Sequence, residues 1–324
     1  MSPFDPFLER QGFVVLDGGL ASALEAAGHV LDTELWSAEV LLDDPDAVRA
    51  VHAAYLDAGA DCVTTGSYQA SLPGFARLGI GADRAADALR RSVELAREAR
   101  AAYRAEGGNR TRPIEPLVAA SVGPYGAFLA DGSEYDGRYG VGRDVLERFH
   151  RPRLEILSRA GADVLALETI PSLVEAELLG HLISELTHPG AWMSFSCRDG
   201  EHLRDGSPIE DAVGACADAE GLVAVGVNCT APVFVESLVR RMRAVTELPI
   251  VAYPNSGETF DAASRGWSGS PAGPEWVELV PAWLDAGARI VGGCCRVGPD
   301  VIREVRRKLE AVVRGSGGAA KGPP

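Results

Sequence analysis

The sequence of 324 residues lacks an excess of positive charge, with 31 lysine and arginine residues against 46 aspartate and glutamate residues. Nucleic-acid binding needs a basic surface for the phosphates, so it is not expected here. Apolar runs of about 18 residues are also missing, so no membrane-spanning helix is predicted. The first eleven residues, MSPFDPFLERQ, include acidic side chains and no apolar stretch, so we expect no signal peptide.

Cysteine is scarce as well. Six cysteines are too few for the disulfide framework of a small secreted domain, and without an export signal the chain is expected in the reducing cytoplasm. There, cysteines tend to be core, catalytic or metal-binding residues. Cys62 and Cys197 lie in apolar strand patterns and Cys216 lies in a helical pattern. We predict that these three are small buried residues.

A helical stretch that ends at glycine and enters a β-branched apolar run occurs three times, at 56–66, 158–168 and 284–294. Glycine suits the left-handed position after a helix, and the apolar run is typical of a buried parallel strand. Strands are predicted at 13–17, 61–65, 116–121, 163–168, 191–197, 222–228, 249–253 and 289–293. Helices are predicted between them, at 45–58, 84–105, 143–160, 172–187, 208–219, 232–244, 275–286 and 299–313.

Eight strands that alternate with eight helices predict an α/β fold, a single-domain (β/α)8 TIM barrel over residues 1–313. A disordered tail is predicted over 314–324, and a doubly wound open sheet is the alternative fold. Two connections, 122–142 and 254–274, are too long for simple turns. In a barrel, both would lie at the carboxyl end of the strands, where active sites form.

Cys229, Cys294 and Cys295 differ from the other cysteines because they follow the ends of predicted strands. In a barrel those ends lie on one face, and Gly292-Gly293 gives the backbone the freedom that two adjacent cysteines need to reach one point. Three interpretations remain open. In the first, the residues are ordinary core cysteines. In the second, Cys294 and Cys295 form a vicinal disulfide. In the third, all three thiolates bind a soft metal such as zinc, with a fourth coordination position open.

A zinc ion with three thiolates carries a net charge of about -1, which makes it a poor generator of hydroxide. The open position suits a substrate thiol, which loses its proton when a metal coordinates it. The electron-rich surroundings keep such a sulfur nucleophilic. If the metal interpretation is right, the predicted chemistry is therefore thiol alkylation.

Further motifs span nearly the whole chain, from about Val15 to about Val305. They are LDGGLASALE (16–25), LWSAEVL (35–41), TTGSYQAS (64–71), SVGPYGAFLADGSEY (121–135), FHRPRLE (149–155), LALET (165–169), GVNC (226–229), YPNSGE (253–258) and VGGCCR (291–296). Together they resemble the zinc-dependent homocysteine S-methyltransferases, most closely the branch that uses S-methylmethionine, and Asp300 matches that branch too. The loop GGLAS departs from the GALAT of close relatives, and we expect little effect.

The resemblance implies a TIM barrel, homocysteine as methyl acceptor and methionine as product. It implies zinc as the cofactor, with Cys229, Cys294 and Cys295 as its ligands. It also implies that Asp17 and Glu168 hold the homocysteine ammonium group, although a structural role at a strand end stays open for both carboxylates.

Smaller roles are predicted for neighbouring residues. Gly18 and Gly19 let backbone N–H groups approach the substrate carboxylate. Thr64 and Ser67 are expected to add hydrogen bonds to the substrate. Asn228 precedes a ligand and is expected to steady it. His150, in FHRPR, is expected to pack a helix rather than bind a metal.

The methyl donor must carry an activated methyl group, as a sulfonium, a quaternary ammonium or a methylfolate does. Folate- and cobalamin-dependent enzymes of this type have extra domains that this chain lacks. Aromatic faces can hold a cationic donor by cation–π attraction. Candidates for a donor pocket, each of which ordinary packing would also explain, are Trp36, Tyr68, Tyr125, Tyr253 and Trp267.

The sequence thus predicts transfer of a methyl group from S-methylmethionine, with S-adenosylmethionine as a second candidate donor, to homocysteine. A betaine-type or other thiol or selenol methyltransferase is an alternative, and so is a non-catalytic zinc-binding protein. The expected partners are small-molecule substrates. No feature of the sequence predicts an oligomeric state.

Overall fold

A computed structural model describes residues 2–31, 37–108, 112–261, 266–268 and 274–318. The strands are β1 (Val14–Val15), β2 (Cys62–Thr64), β3 (Leu117–Val122), β4 (Val164–Ile170), β5 (Ala191–Phe195), β6 (Leu222–Asn228), β7 (Ile250–Tyr253), β8 (Thr259–Asp261), β9 (Gly266–Ser268) and β10 (Ala288–Val291).

The α-helices are α1 (Asp5–Gln11), α2 (Leu20–Ala26), α3 (Ser37–Asp43), α4 (Pro45–Ala58), α5 (Leu72–Arg77), α6 (Ala82–Ala105), α7 (Tyr125–Leu129), α8 (Arg143–Leu157), α9 (Leu173–Glu185), α10 (Ile209–Cys216), α11 (Pro232–Arg243), α12 (Val280–Ala286) and α13 (Pro299–Gly318). Two short 3-10 helices span Ser133–Tyr135 and Pro274–Leu279. In the described part of the chain, no helix is long and apolar enough to cross a membrane.

Eight parallel strands form one sheet in the order β1-β10-β7-β6-β5-β4-β3-β2. The two end strands also meet, because Leu16 pairs with Cys62 in parallel. Asp17 N donates to Cys62 O at 3.0 Å and Asp61 N donates to Val15 O at 2.7 Å. The sheet therefore closes into a barrel. The predicted TIM barrel is confirmed, and the open doubly wound sheet is wrong because β1 and β2 are not free edges.

The strands are apolar on both faces, which explains their unbroken hydrophobic runs. In β4 all seven residues are buried. Val164 and Ala166 point into the barrel core, whereas Leu165 and Leu167 pack in the larger core between strands and helices. Because neighbouring residues alternate between the two faces, each strand contributes to both cores. The predicted core positions of Cys62, Cys197 and Cys216 are also found, since all three side chains are buried.

The short helix α1 closes the amino-terminal end of the barrel. Phe4, just before it, and Phe7 within it belong to the same core as the strand residues that point inward. The Phe4 ring lies 5.9 Å from that of Trp192 in β5. The barrel interior is thus packed with side chains, as expected for eight strands.

The sequence patterns missed the short elements α1, α2, α3, α5 and α7 and the hairpin of β8 and β9. These helices have five to seven residues each, too few turns to give a clear 3.6-residue period. At the other end of the chain, α13 continues to Gly318, whereas the predicted tail begins at residue 314. Residues 319–324 lie outside the described part.

A buried ionic cluster joins the two ends of the chain beneath the barrel. Asp61 Oδ2 accepts hydrogen bonds from Val15 N at 3.0 Å, Gln11 Nε2 at 2.8 Å and Arg306 Nη1 at 2.6 Å. The Asp61 and Arg306 side chains are only 4% and 11% exposed. The carboxylate therefore connects β1, the end of α1 and α13.

Replacing Asp61 by asparagine should destabilise the fold by about 3–5 kcal/mol, because the buried guanidinium of Arg306 loses its buried charge partner and keeps only the half-exposed Glu310. Urea unfolding would measure the change. Glu310→Gln is the matched control. It removes a second carboxylate on Arg306, at 3.1 Å but 39% exposed, and should shift stability by less than about 1 kcal/mol. Equal effects of the two substitutions would contradict the role given to Asp61.

Candidate active site

A cavity opens at the carboxyl end of the barrel strands, as the sequence predicted. Its wall combines the ends of several strands with the loops that follow them. Wall residues include Asp17, Gly18 and Gly19 after β1, Thr64 in β2, Ser121 in β3, Glu168 in β4, Cys229 after β6, Tyr253 in β7, and Cys294 and Cys295 after β10. The barrel thus brings together side chains that lie far apart in the sequence.

Three of these side chains, Cys229, Cys294 and Cys295, converge on one point. Cys229 Sγ lies 3.0 Å from Cys294 Sγ and 3.6 Å from Cys295 Sγ, and the adjacent cysteines are 4.0 Å apart. A disulfide would require about 2.05 Å, and all three thiols are free. Three sulfurs bound tetrahedrally to one ion at about 2.3 Å would lie about 3.8 Å apart. The observed triangle fits a metal far better than a vicinal disulfide.

The backbone around the three cysteines is turned at residues other than those expected. Gly292 and Gly293 were predicted to supply the turn, but neither adopts a positive φ. The left-handed residues are Cys229, with φ 47°, and Arg296, with φ 64°. Gly293 is needed for space instead, since a Cβ there would lie 2.1 Å from Val297 Cγ1. A side chain at this position would clash with Val297 and displace the loop that carries the adjacent cysteines.

The loop after β7 holds both adjacent cysteines through their main chain. Cys294 N donates to Pro254 O at 2.8 Å, and Ser256 N donates to Cys295 O at 3.1 Å. Hydrogen bonding to Cys229 lowers the pKa of the Cys294 thiol well below its usual value. The hydrogen bonds of the neighbouring thiols thus favour the thiolate form of Cys294.

Arg296, directly after the cysteines, is tied to two neighbouring loops. Its backbone N donates to Ser22 Oγ at 2.9 Å, and its Nε donates to Glu258 Oε2 at 3.0 Å. Ser256 Oγ donates to the same Glu258 oxygen at 2.9 Å. The exposed arginine therefore links the cysteine loop to the loops after β1 and β7.

Asn228 lies behind the three cysteines, outside the cavity lining. Its Nδ2 faces Cys294 Sγ at 3.8 Å and donates to Thr169 Oγ1 at 2.7 Å. Its Oδ1 accepts from Thr169 N at 2.8 Å and from Ser194 Oγ at 2.9 Å. Both the nitrogen and the oxygen of the Asn228 amide are thus held by hydrogen bonds. This is the arrangement expected of a residue that orients a neighbouring metal-binding side chain.

Two buried carboxylates face the same cavity. Asp17 accepts from Thr64 N at 2.7 Å and from Thr64 Oγ1 at 3.0 Å. Glu168 accepts from Ser121 Oγ and, at 3.1 Å, from Tyr253 OH. Burial raises the pKa of Asp17 well above its usual value, and the charge of Glu168 raises it further. Burial likewise raises the pKa of Glu168 to about 7.

Among the described residues, these two acids have no cationic partner. Within the described residues, no lysine or arginine forms an ion pair with Asp17 or Glu168, although many surface carboxylates have such partners. Two buried negative charges without a counter-charge are unfavourable. A bound cationic group would relieve both the burial and the mutual repulsion, so the cavity favours a ligand with an ammonium group.

Not every predicted substrate contact faces the cavity. Ser67 is buried behind the wall, where its Oγ donates to Ser121 O at 2.8 Å and pairs with Thr65 Oγ1 at 2.6 Å. Gly19 lines the cavity, but its N–H donates to Val297 O at 3.0 Å and is not free for a carboxylate. Gly18 and Thr64 line the cavity as expected, with Thr64 already bonded to Asp17.

The predicted aromatic residues separate into two groups. Tyr68 and Tyr253 line the cavity. Tyr125 instead packs in an aromatic cluster, with its ring 5.1 Å from that of Phe149 and 5.4 Å from that of Tyr139, and it is not part of the lining. Trp36 and the side chain of Trp267 lie outside the described residues.

Glu134 and Tyr135 line the cavity but were not predicted. Both belong to the 3-10 helix Ser133–Tyr135, within the long connection after β3 that the sequence had marked as functional. Their position at the end of the motif SVGPYGAFLADGSEY was the available signal. The prediction of Tyr125 from that motif as a lining residue is not supported, because nothing in the sequence shows which tyrosine turns inward.

A buried polar network holds this connection in place. His150 Nε2 lies 2.7 Å from Glu175 Oε1, which also accepts from Tyr125 N at 2.7 Å. Tyr139 OH donates to the other Glu175 oxygen at 2.9 Å, and Arg153 lies 3.0 Å from His150 Nδ1. His150 is thus a packing residue of α8, as predicted, and Glu175 anchors both ends of the loop that carries Glu134 and Tyr135.

Comparison with known proteins agrees with this geometry. Residues 14–309 match the sequence profile of the homocysteine S-methyltransferase family. The chain is 42% identical to homocysteine S-methyltransferase YbgG of Bacillus subtilis, over 94% of this chain and 97% of the relative. It is 43% identical to a selenocysteine Se-methyltransferase of Brassica oleracea, over 93% of this chain and 90% of the relative.

A solved structure shows the same likeness. The metallated form of the homocysteine methyltransferase MmuM from Escherichia coli is 42% identical to this chain and superposes with a TM-score of 0.85, over 95% of this chain and all of MmuM. The profile, the relatives and the superposed barrel each cover almost the whole chain, including every strand end that contributes a cysteine. The chain therefore belongs to the homocysteine S-methyltransferase family.

Proposed function

We propose that this protein transfers a methyl group from S-methylmethionine to homocysteine and that the metal held by its three cysteines is zinc. The observation that carries the proposal is the combination of three convergent thiols with two buried, uncompensated carboxylates in one cavity. The thiols suit a soft metal that binds a substrate sulfur, and the carboxylates suit the ammonium group of an amino acid. Homocysteine has both groups.

Cys229, Cys294 and Cys295 would hold zinc, which supplies a site where a substrate thiol loses its proton yet remains nucleophilic. Asp17 and Glu168 would bind the homocysteine ammonium and so direct its sulfur toward the cysteines. The homocysteine thiolate attacks the methyl carbon of the sulfonium donor. As the new S–C bond forms, the old one breaks and its electron pair stays on the departing thioether. Two methionine molecules result.

The cavity suits such a charge-neutralising step. A cationic donor and an anionic thiolate lose charge as the methyl moves, so a site that excludes water favours the transition state. Tyr68, Tyr135 and Tyr253 supply aromatic wall around the cysteines, and cation–π attraction can hold the donor. No general base is needed at the transfer step, because the thiol has already lost its proton.

A selenol acceptor is a second candidate, since one relative is named as a selenocysteine Se-methyltransferase and a selenolate is also a soft nucleophile. A purely zinc-storing protein would have no need of Asp17 and Glu168 in the same cavity. Free thiols survive best in a reducing compartment, so we place the reaction in the cytoplasm.

Purified protein with about one zinc per chain should form methionine from homocysteine and S-methylmethionine. The assay would run S-methylmethionine, S-adenosylmethionine and betaine in parallel, with metal content measured on the same sample. Preference for betaine would assign a betaine-type donor instead. Zinc-loaded protein that makes no methionine with any of the three donors would refute the proposed function.

The ammonium contact predicts the effect of Glu168→Gln. Loss of the charge should lower kcat/KM for homocysteine by roughly 10- to 100-fold, because a charge-assisted hydrogen bond is lost. The acceptor 4-mercaptobutyrate has the same thiol and carboxylate but no ammonium, so its weaker turnover should change little. If both acceptors lose activity equally, Glu168 has a structural role rather than a role in binding the ammonium.

The Arg296 contacts predict how firmly zinc is retained. Glu258→Gln weakens the ion pair that ties the cysteine loop to the loop after β7, so zinc should pass to a chelator roughly 3- to 10-fold faster. A chromogenic chelator measures this rate without any assay of activity. Glu247→Gln, at an exposed ion pair far from the cysteines, is the control. Equal release rates in both variants would exclude a role for this ion pair.

A further inference from the structure

Glu134 is a further carboxyl group in the cavity wall. It lines the cavity from the 3-10 helix Ser133–Tyr135. Its Oε2 atom is buried and has no hydrogen-bond partner among the described residues. Burial, with a smaller contribution from the charge of Asp131, raises the pKa of this carboxyl to about 7. In the described part of the chain, no arginine or lysine pairs with it.

The loop is built so that this side chain keeps its place. A Cβ on Gly126, in α7, would lie 2.5 Å from Glu134 N, so the helix and the 3-10 turn pack backbone against backbone. Asp131 Oδ1 accepts from Ser133 N at 2.9 Å, and Gly137 N donates to Ser133 O at 2.8 Å. An unpaired carboxylate in such a fixed loop is costly for folding. A bound ligand with positive charge would offset that cost.

Two tyrosines of the cavity wall lie near both Glu134 and the cysteines. The charges of the cysteines and of Glu134 both raise the pKa of Tyr68 and of Tyr135, and both tyrosines line the cavity. The acids at the strand ends already have hydrogen-bond donors, since Thr64 bonds to Asp17 and Tyr253 bonds to Glu168. Glu134 Oε2 has no such donor among the described residues.

Methyl transfer between two amino acids brings two ammonium groups into one site. Asp17 and Glu168 account for the acceptor. In-line attack places the donor sulfonium beyond the acceptor sulfur, beside the tyrosines, and the rest of the donor extends away from the metal centre. Glu134 lines the same cavity with a buried, unpaired carboxylate oxygen, which suits the ammonium group of the donor.

We propose that Glu134 binds the α-ammonium group of an amino-acid sulfonium donor and thereby determines donor specificity. The inference rests on the proposed function and adds a residue to it. It assigns Glu134 to the donor and not to the acceptor. It also explains why a cationic donor without an ammonium group, such as betaine, would be a poorer partner for this cavity.

The test is a steady-state comparison of zinc-loaded wild type with Glu134→Gln, which has nearly the same shape but no charge. With saturating homocysteine, kcat/KM for S-methylmethionine should fall roughly 10- to 100-fold. The KM for homocysteine and the zinc content should stay unchanged. Asp131→Asn is the matched control on the same loop: it keeps the hydrogen-bond acceptor for Ser133, removes a nearby charge, and should leave both KM values within about twofold.

The contact with the ammonium is checked with dimethylsulfoniopropionate, a sulfonium that lacks the ammonium group, used as a donor or as a competitive inhibitor. Its apparent affinity should be the same in wild type and Glu134→Gln. Equal weakening of both sulfonium compounds, or a matching rise in the homocysteine KM, would overturn the assignment. Glu134→Asp retains the charge and should recover part of the donor affinity, which a merely structural role would not predict.

The outcomes for the proposed function and for this subsite are separable. If the wild type makes no methionine from S-methylmethionine, the proposed function fails and the subsite fails with it. If the wild type is active and Glu134→Gln has an unaltered donor KM, the proposed function stands and the subsite alone is refuted.

Discussion

The structure depends on the close approach of two loops, the one after β1 and the one after β10. Gly18 faces Val297 so closely that a Cβ on the glycine would lie 2.2 Å from the Val297 carbonyl oxygen. Tyr55 OH donates to that same oxygen at 2.9 Å. This contact fixes the turn that presents Cys294 and Cys295, and the turn decides whether their sulfurs can meet Cys229. A wider separation of the loops would leave three thiols without a common centre.

The buried ion pair that stabilises the fold and the cavity that holds the cysteines lie at opposite ends of the barrel. Beneath the strands, Asp61 and Arg306 form a buried pair that joins both ends of the chain. Above them, Thr169, Cys229 and Arg296 adopt left-handed backbone conformations, which are unfavourable for residues other than glycine. Of the four described non-glycine residues with a positive φ, all but Ala130 lie around the three cysteines. Asn228 bonds to Thr169 through both the backbone and the side chain of the threonine. The rigid lower barrel allows the upper rim to hold these conformations.

The connection after β3 completes the cavity from the side that the strands leave open. Glu175 holds it through Tyr125 N and the Tyr139 hydroxyl, from a position on α9 beneath the loop. The loop then brings Glu134 and Tyr135 into the cavity wall. The site is therefore built from two parts: strand ends that carry the cysteines and the two buried acids, and one anchored loop that completes the wall.

The sequence by itself determined the barrel and the position of the three cysteines at strand ends. A helix that ends at glycine before an apolar run marks a local preference, and it occurs three times. Eight strands that alternate with eight helices admit few other folds, so the strands and the cysteines at their ends were predictable. Local preference carries no information on which side of a loop faces inward. The tertiary structure alone decided that Tyr135 rather than Tyr125 lines the cavity, that Ser67 lies behind the wall, and that Arg296 rather than Gly292 or Gly293 takes the left-handed turn. Each of these outcomes follows from packing between loops that are distant in sequence, and such contacts exist only once the barrel has closed.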